Sequence, residues 1–324
     1  MHGDLVSAVL RGEERAVALA CRLIDDRQPG VGRLIDALYA QSRQARVIGI
    51  TGSPGSGKST LVSGLVAQFR AQGQRVGVLA VDPSSTFTGG AILGDRVRMQ
   101  RHFDDEAVFI RSLATRGAQG GLSRSVQEHV VVLDAAGYDT IVLETVGVGQ
   151  DELDVSDVAH STVVVLAPGM GDDIQAVKSG ILEIADVFVV NKADRDGAER
   201  TLAELEQRLE LGRVVGAASA ARDAWQAPVL KCVALREQGL PELVESLSRH
   251  RAWLDTPLGR ARRAARSQTN AQRLLFALLC ERLAEAVDPL LKQRAARVAE
   301  RSLSPHAAAD ELLELWRASK LSES

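Results

Sequence analysis

Short apolar runs alternate with longer amphipathic segments between residues 46 and about 250. Continuous apolar runs of strand length indicate strands that are buried on both faces. Their alternation with helical segments is typical of a mostly parallel sheet covered by helices. The sequence therefore predicts an α/β fold with seven strands, at Arg46–Thr51, Val76–Val81, Ala107–Ile110, Thr140–Leu143, Thr162–Leu166, Val187–Val190 and Val229–Val233.

Both ends of the chain carry helical rather than strand periodicity. Before residue 45, apolar residues follow helical spacing in two stretches separated by Pro29-Gly30. After Pro257, leucines form one apolar stripe, which would pack on the domain or on a second subunit. We expect a helical N-terminal extension over 1–44, a central domain over 45–256, and a helical C-terminal region over 257–324 that forms a homodimer.

The overall charge is nearly balanced. The formal net charge of −3 argues against nucleic acid or an anionic membrane as the main partner. The densest basic cluster is read as a solvated helix face, with partner docking as the alternative, and comprises Arg260, Arg262, Arg263 and Arg266.

Cysteine usage and hydropathy bear on the compartment. The 3 cysteines are far apart in sequence and odd in number, which is typical of a reducing compartment. Neither a signal peptide nor an apolar stretch of membrane-spanning length is visible. We therefore expect a cytoplasmic protein without a membrane partner.

A phosphate-binding motif follows the first predicted strand. Residues 52–59 read G-x-x-x-x-G-K-S, and a helical segment follows them. In that context Lys58 would reach the β- and γ-phosphates, and the hydroxyl of Ser59 would ligate Mg²⁺. The alternative is a glycine-rich turn that binds no nucleotide. The predicted nucleotide-binding residues here are Gly52, Ser53, Pro54, Gly55, Ser56, Gly57, Lys58, Ser59 and Thr60.

Acidic residues fall at the ends of other predicted strands. Asp82 closes the second strand, near the expected Mg²⁺, although it could instead cap a helix. Glu144 closes the fourth, and Gly147 follows, where its N–H can bond the γ-phosphate. Asp95 ends a glycine-bearing loop that either senses the γ-phosphate or is a simple connection. Val148 stands where a water-orienting glutamine is common, so we expect slow intrinsic hydrolysis.

A third polar loop, 168–178, follows the fifth predicted strand. It contains two glycines, then acids, and ends at Lys178. It is either a nucleotide-responsive loop or a solvated connection.

The sequence Asn191-Lys192-Ala193-Asp194 ends the sixth predicted strand. The Asp194 carboxylate can accept from the ring N–H and the amine of guanine, a pattern that adenine lacks. Asn191 would support the loop, and the stem of Lys192 would pack over the purine. After the last strand, Val233, Ala234 and Leu235 occupy a second base-contacting loop, usually built on Ser-Ala. GTP is therefore predicted over ATP.

Taken together, these motifs resemble the methylmalonyl-CoA mutase-associated G proteins of the MeaB type, also labelled amino-acid transport-system kinases. The resemblance implies a P-loop NTPase of the SIMIBI class that hydrolyses GTP to GDP and phosphate, with Asp82, Asp95 and Glu144 clustered about Mg²⁺. It also implies a homodimer that chaperones an adenosylcobalamin-dependent acyl-CoA mutase during cofactor loading and protection. Lys178 becomes a candidate activating cation, with Gln150 as the alternative. Asp151 and Val233 depart from the family pattern.

Two other functions compete with this one, and the first of them uses the same fold. A GTP-dependent metal-insertion protein would carry His- or Cys-rich tracts, which this sequence lacks. A transport-system regulatory kinase would need a phosphoacceptor-binding domain, for which the sequence gives no sign.

Overall fold

The structure, a computed structural model, describes residues 2–82, 99–114, 121–145, 151–169, 183–216 and 224–321. All seven predicted strands are present in these ranges. They are β1 (Arg46–Gly52), β2 (Val76–Asp82), β3 (Val108–Ala114), β4 (Thr140–Thr145), β5 (Ser161–Leu166), β6 (Val187–Val190) and β7 (Val229–Lys231). They form one sheet in the order β3, β2, β4, β1, β5, β6, β7, and every pairing is parallel.

Helices cover this sheet and form both ends of the chain. In the described ranges they are α1 (His2–Leu10), α2 (Glu14–Asp25), α3 (Val31–Tyr39), α4 (Lys58–Ala71), α5 (Gly121–Ala135), α6 (Asp151–Val158), α7 (Ala198–Gly216), α8 (Leu240–Leu254), α9 (Pro257–Ala299) and α10 (Pro305–Leu321). The N-terminal region thus has three helices, and the prediction of two was wrong. Gly12 separates the first two with a φ of 74°, a left-handed conformation that cannot continue an α-helix.

Successive residues of the central strands enter different cores. Val47 packs with α1, α2, α3, α5 and α6, whereas Ile48 packs with α4 and α8. This division follows from the alternation of side chains along a strand. Because helices cover both faces, the strands are apolar throughout, which is why they were recognisable in the sequence. The N-terminal helices share their core with the sheet.

The chain divides into two compact units, Met1–Gln268 and Thr269–Ser324. Within the second unit, Arg294 of α9 pairs with Glu311 of α10 at 2.6 Å. Large apolar side chains in this unit are exposed, including Leu275, Phe276 (71% exposed) and Leu279. None of the helices in the described ranges combines the length and apolar content needed to cross a bilayer.

Two arginines of α9 pair with a buried carboxylate in the first unit. Asp186 is 0% exposed, and its Oδ1 lies 2.7 Å from Nη2 of Arg262. Arg266 Nη1 lies 3.8 Å from Oδ2, which also accepts the Thr162 N–H at 2.9 Å. The prediction of a solvated basic face was therefore wrong for Arg262 and Arg266. Helical spacing shows which residues share a face, but not that a distant acid will cover it.

The imidazole beside this cluster contributes no charge at neutral pH. His250 Nε2 lies 3.4 Å from Asp186 Oδ1. Burial lowers the pKa of His250 to about 4, despite the opposing effect of Asp186. The arginines therefore supply the positive charge that balances the buried carboxylate.

We predict that Asp186→Ala lowers the free energy of unfolding by about 3 kcal/mol, because it leaves two partly buried guanidinium groups without their counter-charge. Urea unfolding followed by circular dichroism measures the change. Asp255→Ala is the matched control, since Asp255 is 70% exposed and should matter by less than about 0.5 kcal/mol. Equal unfolding midpoints for the two variants would contradict the prediction.

Candidate nucleotide-binding site

The predicted phosphate-binding loop connects the end of β1 to the start of α4. Two of its glycines have no room for a side chain. A Cβ on Gly52 would lie 2.0 Å from the carbonyl oxygen of Val165 on β5, and one on Gly57 would lie 2.4 Å from Nδ2 of Asn191. Both also have positive φ, 131° and 92°. The close approach of β5 to Gly52 and of the Asn191 side chain to Gly57 thus requires glycine at both positions.

Lys58 is held against this loop. Its Nζ donates to the carbonyl oxygens of Gly52 at 2.8 Å and Ser53 at 3.0 Å. The residue is buried, and it is the first residue of α4, where the helix dipole adds positive potential. This end of the loop therefore concentrates positive charge where phosphates are expected.

Two oxygen-bearing side chains meet beside Lys58. The hydroxyl of Ser59 donates to Oε1 of Glu144 at 2.6 Å, and both residues are buried. They meet because β1 and β4 are neighbours in the sheet. Hydroxyl and carboxylate oxygens are the hard ligands that Mg²⁺ prefers, so this pair fits a magnesium ion.

Of the other two predicted metal ligands, only the backbone of Asp82 lies within the described residues. Asp82 is the last residue of β2, next to the end of β4, where Val81 pairs with Thr145. The Asp82 side chain and the whole of Asp95 lie outside the described residues. In the described ranges, no three residues of the types His, Cys, Asp and Glu gather into a group that could hold a metal.

Asn191 links the phosphate loop to the second base loop. Its Nδ2 donates to the carbonyl oxygen of Ser56 at 2.8 Å, and its Oδ1 accepts the N–H of Ala234 at 3.0 Å. The side chain is buried. Lys192 has a φ of 57°, which turns its chain back so that Nζ donates to the Gly55 carbonyl oxygen at 2.6 Å. The end of β6 is therefore joined to the phosphate loop by two side chains.

Asp194 lies exposed at the edge of the site. Its Oδ2 is 3.6 Å from Nη2 of Arg236, a residue that sequence reasoning did not single out. Arg236 follows the predicted base-contacting residues in the 3₁₀ turn Ala234–Arg236, in which Leu235 is 86% exposed. The signal that would have found it is its place one residue beyond Leu235, in a loop expected to approach Asp194.

The second base loop is closed by its own backbone. Val233 and Gln238 exchange N–H···O bonds of 3.0 and 3.3 Å as an isolated antiparallel bridge. Cys232 donates its N–H to Val190 and accepts that of Ala193, which ties the loop to the end of β6. Burial, followed by the charge of Glu242, raises the pKa of Cys232 to about 12, so it remains a thiol. Cys232 therefore contributes to the site through its backbone, which connects this loop to the end of β6.

Several predicted site residues lie outside the described residues. These are Asp95, Gly147, Gln150 and Lys178. The structure does bring together the phosphate loop, Ser59, Glu144, Asn191, Lys192, Asp194 and the loop containing Val233, Ala234 and Leu235. A positive phosphate cradle, an oxygen pair and an acidic base reader at the carboxyl edge of a parallel sheet suit a purine nucleotide with Mg²⁺.

A family model described as methylmalonyl Co-A mutase-associated GTPase MeaB matches residues 14–288. The chain belongs to the MeaB family. This membership agrees with the site, which contains the phosphate-loop sequence and the carboxylate expected to bind guanine. The chain is accordingly a P-loop GTPase that hydrolyses GTP.

Individual members of the family are similar over much of their length. A Pyrococcus horikoshii protein named as a GTPase is 40% identical over 314 residues, covering 96% of this chain and 97% of its own. The Escherichia coli GTPase ArgK is 34% identical, with 82% and 80% covered. The Caenorhabditis elegans methylmalonic aciduria type A homolog, mitochondrial, is also 34% identical, with 75% and 64% covered.

A solved structure is similar over almost the whole chain. It is described as LAO/AO transport system kinase, with 26% identity and a TM-score of 0.66. The match covers 98% of this chain and 97% of that one. It supports the same arrangement of sheet and helices.

We predict that Asp194→Asn weakens GTP binding by at least about tenfold, since guanine's two N–H donors lose their acceptor. Xanthosine triphosphate, which carries a carbonyl in place of the amine, should bind the variant better than the unmodified protein. Competition against a fluorescent guanine nucleotide measures both affinities.

The matched control is Asp196→Asn, an exposed acid two residues further along. It should leave the affinity for GTP unchanged. ATP competing as well as GTP in the unmodified protein would contradict the assignment of Asp194.

Proposed function

We propose that this GTPase is a chaperone for an adenosylcobalamin-dependent acyl-CoA mutase of the methylmalonyl-CoA type. GTP binding and hydrolysis would be coupled to loading and protection of the mutase cofactor. The observation that carries the proposal is the family match over residues 14–288, because that family's description names association with this mutase. The similarity to the C. elegans methylmalonic aciduria type A homolog supports it.

The nucleotide chemistry assigned to this chain uses the residues already described. Lys58 would bind the β- and γ-phosphates, and Ser59 and Glu144 would hold Mg²⁺, with Asp82 and Asp95 completing the expected acidic set. Bound Mg²⁺ would neutralise charge on the phosphates. Asp194 would select guanine.

One feature of the sequence indicates that GTP hydrolysis needs activation by the partner. Val148 replaces a water-orienting glutamine, so the isolated protein should turn over slowly. Lys178 is the candidate activating cation, and Gln150 is the alternative. A cation brought to the γ-phosphate stabilises the charge that develops in the transition state.

The two competing functions have less support. Insertion of a thiophilic metal needs imidazole or thiolate ligands, and the described residues contain no such cluster. Of the cysteines, Cys21 and Cys232 are buried. The transport-system kinase reading rests on the description of one similar structure.

The proposal predicts that saturating mutase raises the GTPase rate at least about tenfold, equivalent to about 1.4 kcal/mol of transition-state stabilisation. Rates are measured with and without mutase for the unmodified protein, Lys178→Ala and Gln150→Ala. Lys178→Ala should lose most of the increase at nearly unchanged GTP affinity. Lys58→Ala is the hydrolysis-deficient control.

A GTPase rate unaffected by any cobalamin-dependent acyl-CoA mutase of the same organism would contradict the chaperone proposal. Full activation of the Lys178→Ala protein would remove the lysine from the mechanism. That second outcome would leave Gln150 or a residue of the mutase as the activating group.

We further propose that the protein forms a homodimer through the C-terminal helical region predicted over 257–324, and specifically through the compact unit 269–324. Support comes from the large apolar side chains that this unit exposes, which are Leu275, Phe276, Leu279, Leu291, Leu313, Leu315 and Trp316. Exposed large apolar side chains in such number favour an interface.

Removal of residues 269–324 should therefore yield a monomer by light scattering. Truncation after Gln268 retains Arg262 and Arg266, so the counter-charges of Asp186 stay in place. Phe276→Glu combined with Leu279→Glu, in the full chain, should also give a monomer. A truncated protein that stays dimeric would place the interface elsewhere.

A further inference from the structure

A cavity lies at the amino ends of the central strands, at the opposite end of the sheet from the nucleotide site. It has a volume of about 630 Å³ and is lined by residues 43–46, 72–74, 137–140 and Arg251. The first three segments precede β1, β2 and β4, and Arg46 and Val76 both pair with Thr140 at the starts of these strands. Because β1 is 7 residues long, about 20 Å separates this end of the sheet from the phosphate loop.

Arg46 places a buried positive charge in this cavity. The residue is 7% exposed; its Nε and Nη2 are enclosed by protein and have no hydrogen-bond partner among the described residues, so any direct contact with the cavity would be through Nη1. The Phe69 ring, 5.8 Å from the guanidinium carbon, provides a weak cation–π contact. A desolvated guanidinium normally pairs with an anion, so this one is incomplete within the described protein.

A second cation, Arg251, further raises the cost of burying the positive charge of Arg46. Burial first, and the nearby charge of Arg251 second, lower the pKa of Arg46 to about 10. The group is therefore still charged at neutral pH. Arg46 and Arg251 both line the cavity, and two cations at one end of the sheet form a local field that attracts anions.

Other arginines at this end of the sheet have structural partners. Nη1 of Arg75 donates to the Ala136 carbonyl oxygen at 2.8 Å, and Nη2 of Arg43 donates to that of Leu10 at 2.8 Å. Of the residues that line the cavity, Asp139 alone carries a carboxylate, and its Oδ2 accepts the backbone N–H of Arg75 at 2.7 Å. Helix capping thus accounts for Arg43 and Arg75, but not for Arg46.

We propose that this cavity binds a small organic anion, whose phosphoryl or carboxylate oxygens are held by Arg46 and Arg251. Guanidinium groups match both kinds of oxyanion in pairs of parallel hydrogen bonds. The volume lies in the range of small-molecule sites and exceeds what an inorganic ion fills. Gln72, whose Oε1 accepts from Nε2 of Gln74 at 3.0 Å, adds its own amide N–H donors for the body of the molecule. This site is separate from the GTP site and does not depend on the proposed mutase partner.

The test uses the full chain loaded with GDP and Mg²⁺ and freed of excess nucleotide. Glycerol 3-phosphate, an organic phosphate, and, separately, citrate are titrated by calorimetry. We expect at least one of them to bind, which identifies phosphoryl or carboxylate groups as the ligand chemistry. Arg251→Ala should weaken that binding at least tenfold.

The matched control is Arg249→Ala, an exposed arginine on the same helix that does not line the cavity. It should bind the probe like the unmodified protein. Affinity for GDP should be the same in all variants. Failure of both probes to bind at millimolar concentration, or equal binding by the Arg251→Ala and Arg249→Ala proteins, would overturn the proposal.

A second variant separates a binding role from a structural one. Arg46→Met keeps most of the side-chain volume and removes the buried charge. It should abolish binding of the anion while the melting temperature without anion stays equal or rises. A large fall in the melting temperature would assign Arg46 to structure and overturn its role in binding.

Discussion

The two hydrogen bonds of the Asn191 side chain hold the site together. One reaches the carbonyl oxygen of Ser56 in the phosphate loop, and the other receives the N–H of Ala234 in the second base loop. The amide therefore joins loops that follow three different strands of the sheet. Its burial makes both bonds costly to lose, since each broken bond would leave a polar group unpaired. Together with the bond from Lys192 to the Gly55 carbonyl oxygen, these contacts fix the position of the phosphate loop relative to the base-contacting loops.

The sheet and most of the candidate site were predictable from sequence for the same reason. Strands that are buried on both faces are apolar throughout, and the loops that follow them carry the polar residues. Each apolar run therefore ends where a polar motif begins, which locates both the strand and the motif in the sequence. Gly52 and Gly57 could be predicted as glycines of a phosphate loop. Their contacts with Val165 and Asn191 could not, because those depend on how separate strands are registered.

Sequence patterns did not predict the pairing or burial of charges that depend on residues far apart in the chain. Arg262 looked solvated because its neighbours on α9 are basic, yet its partner Asp186 lies 76 residues earlier. The sequence predicted Arg46 only as the first residue of a strand, and the fold reveals that it is buried, with no hydrogen-bond partner for its Nε and Nη2 among the described residues. Local periodicity reports the neighbours along a helix or strand, whereas these pairings depend on how distant segments pack together.

The pairing of Asp186 with Arg262 and Arg266 also has a consequence for folding while the chain is being synthesised. Every strand of the sheet and all the nucleotide motifs precede residue 257 in the sequence. Until Arg266 has emerged, however, the Asp186 carboxylate lacks the charges that make its burial tolerable. A nascent chain that ends earlier contains the whole GTP site but has an uncompensated acid at the edge of its sheet. The first turns of α9 therefore belong, energetically, to the folding of the GTPase domain.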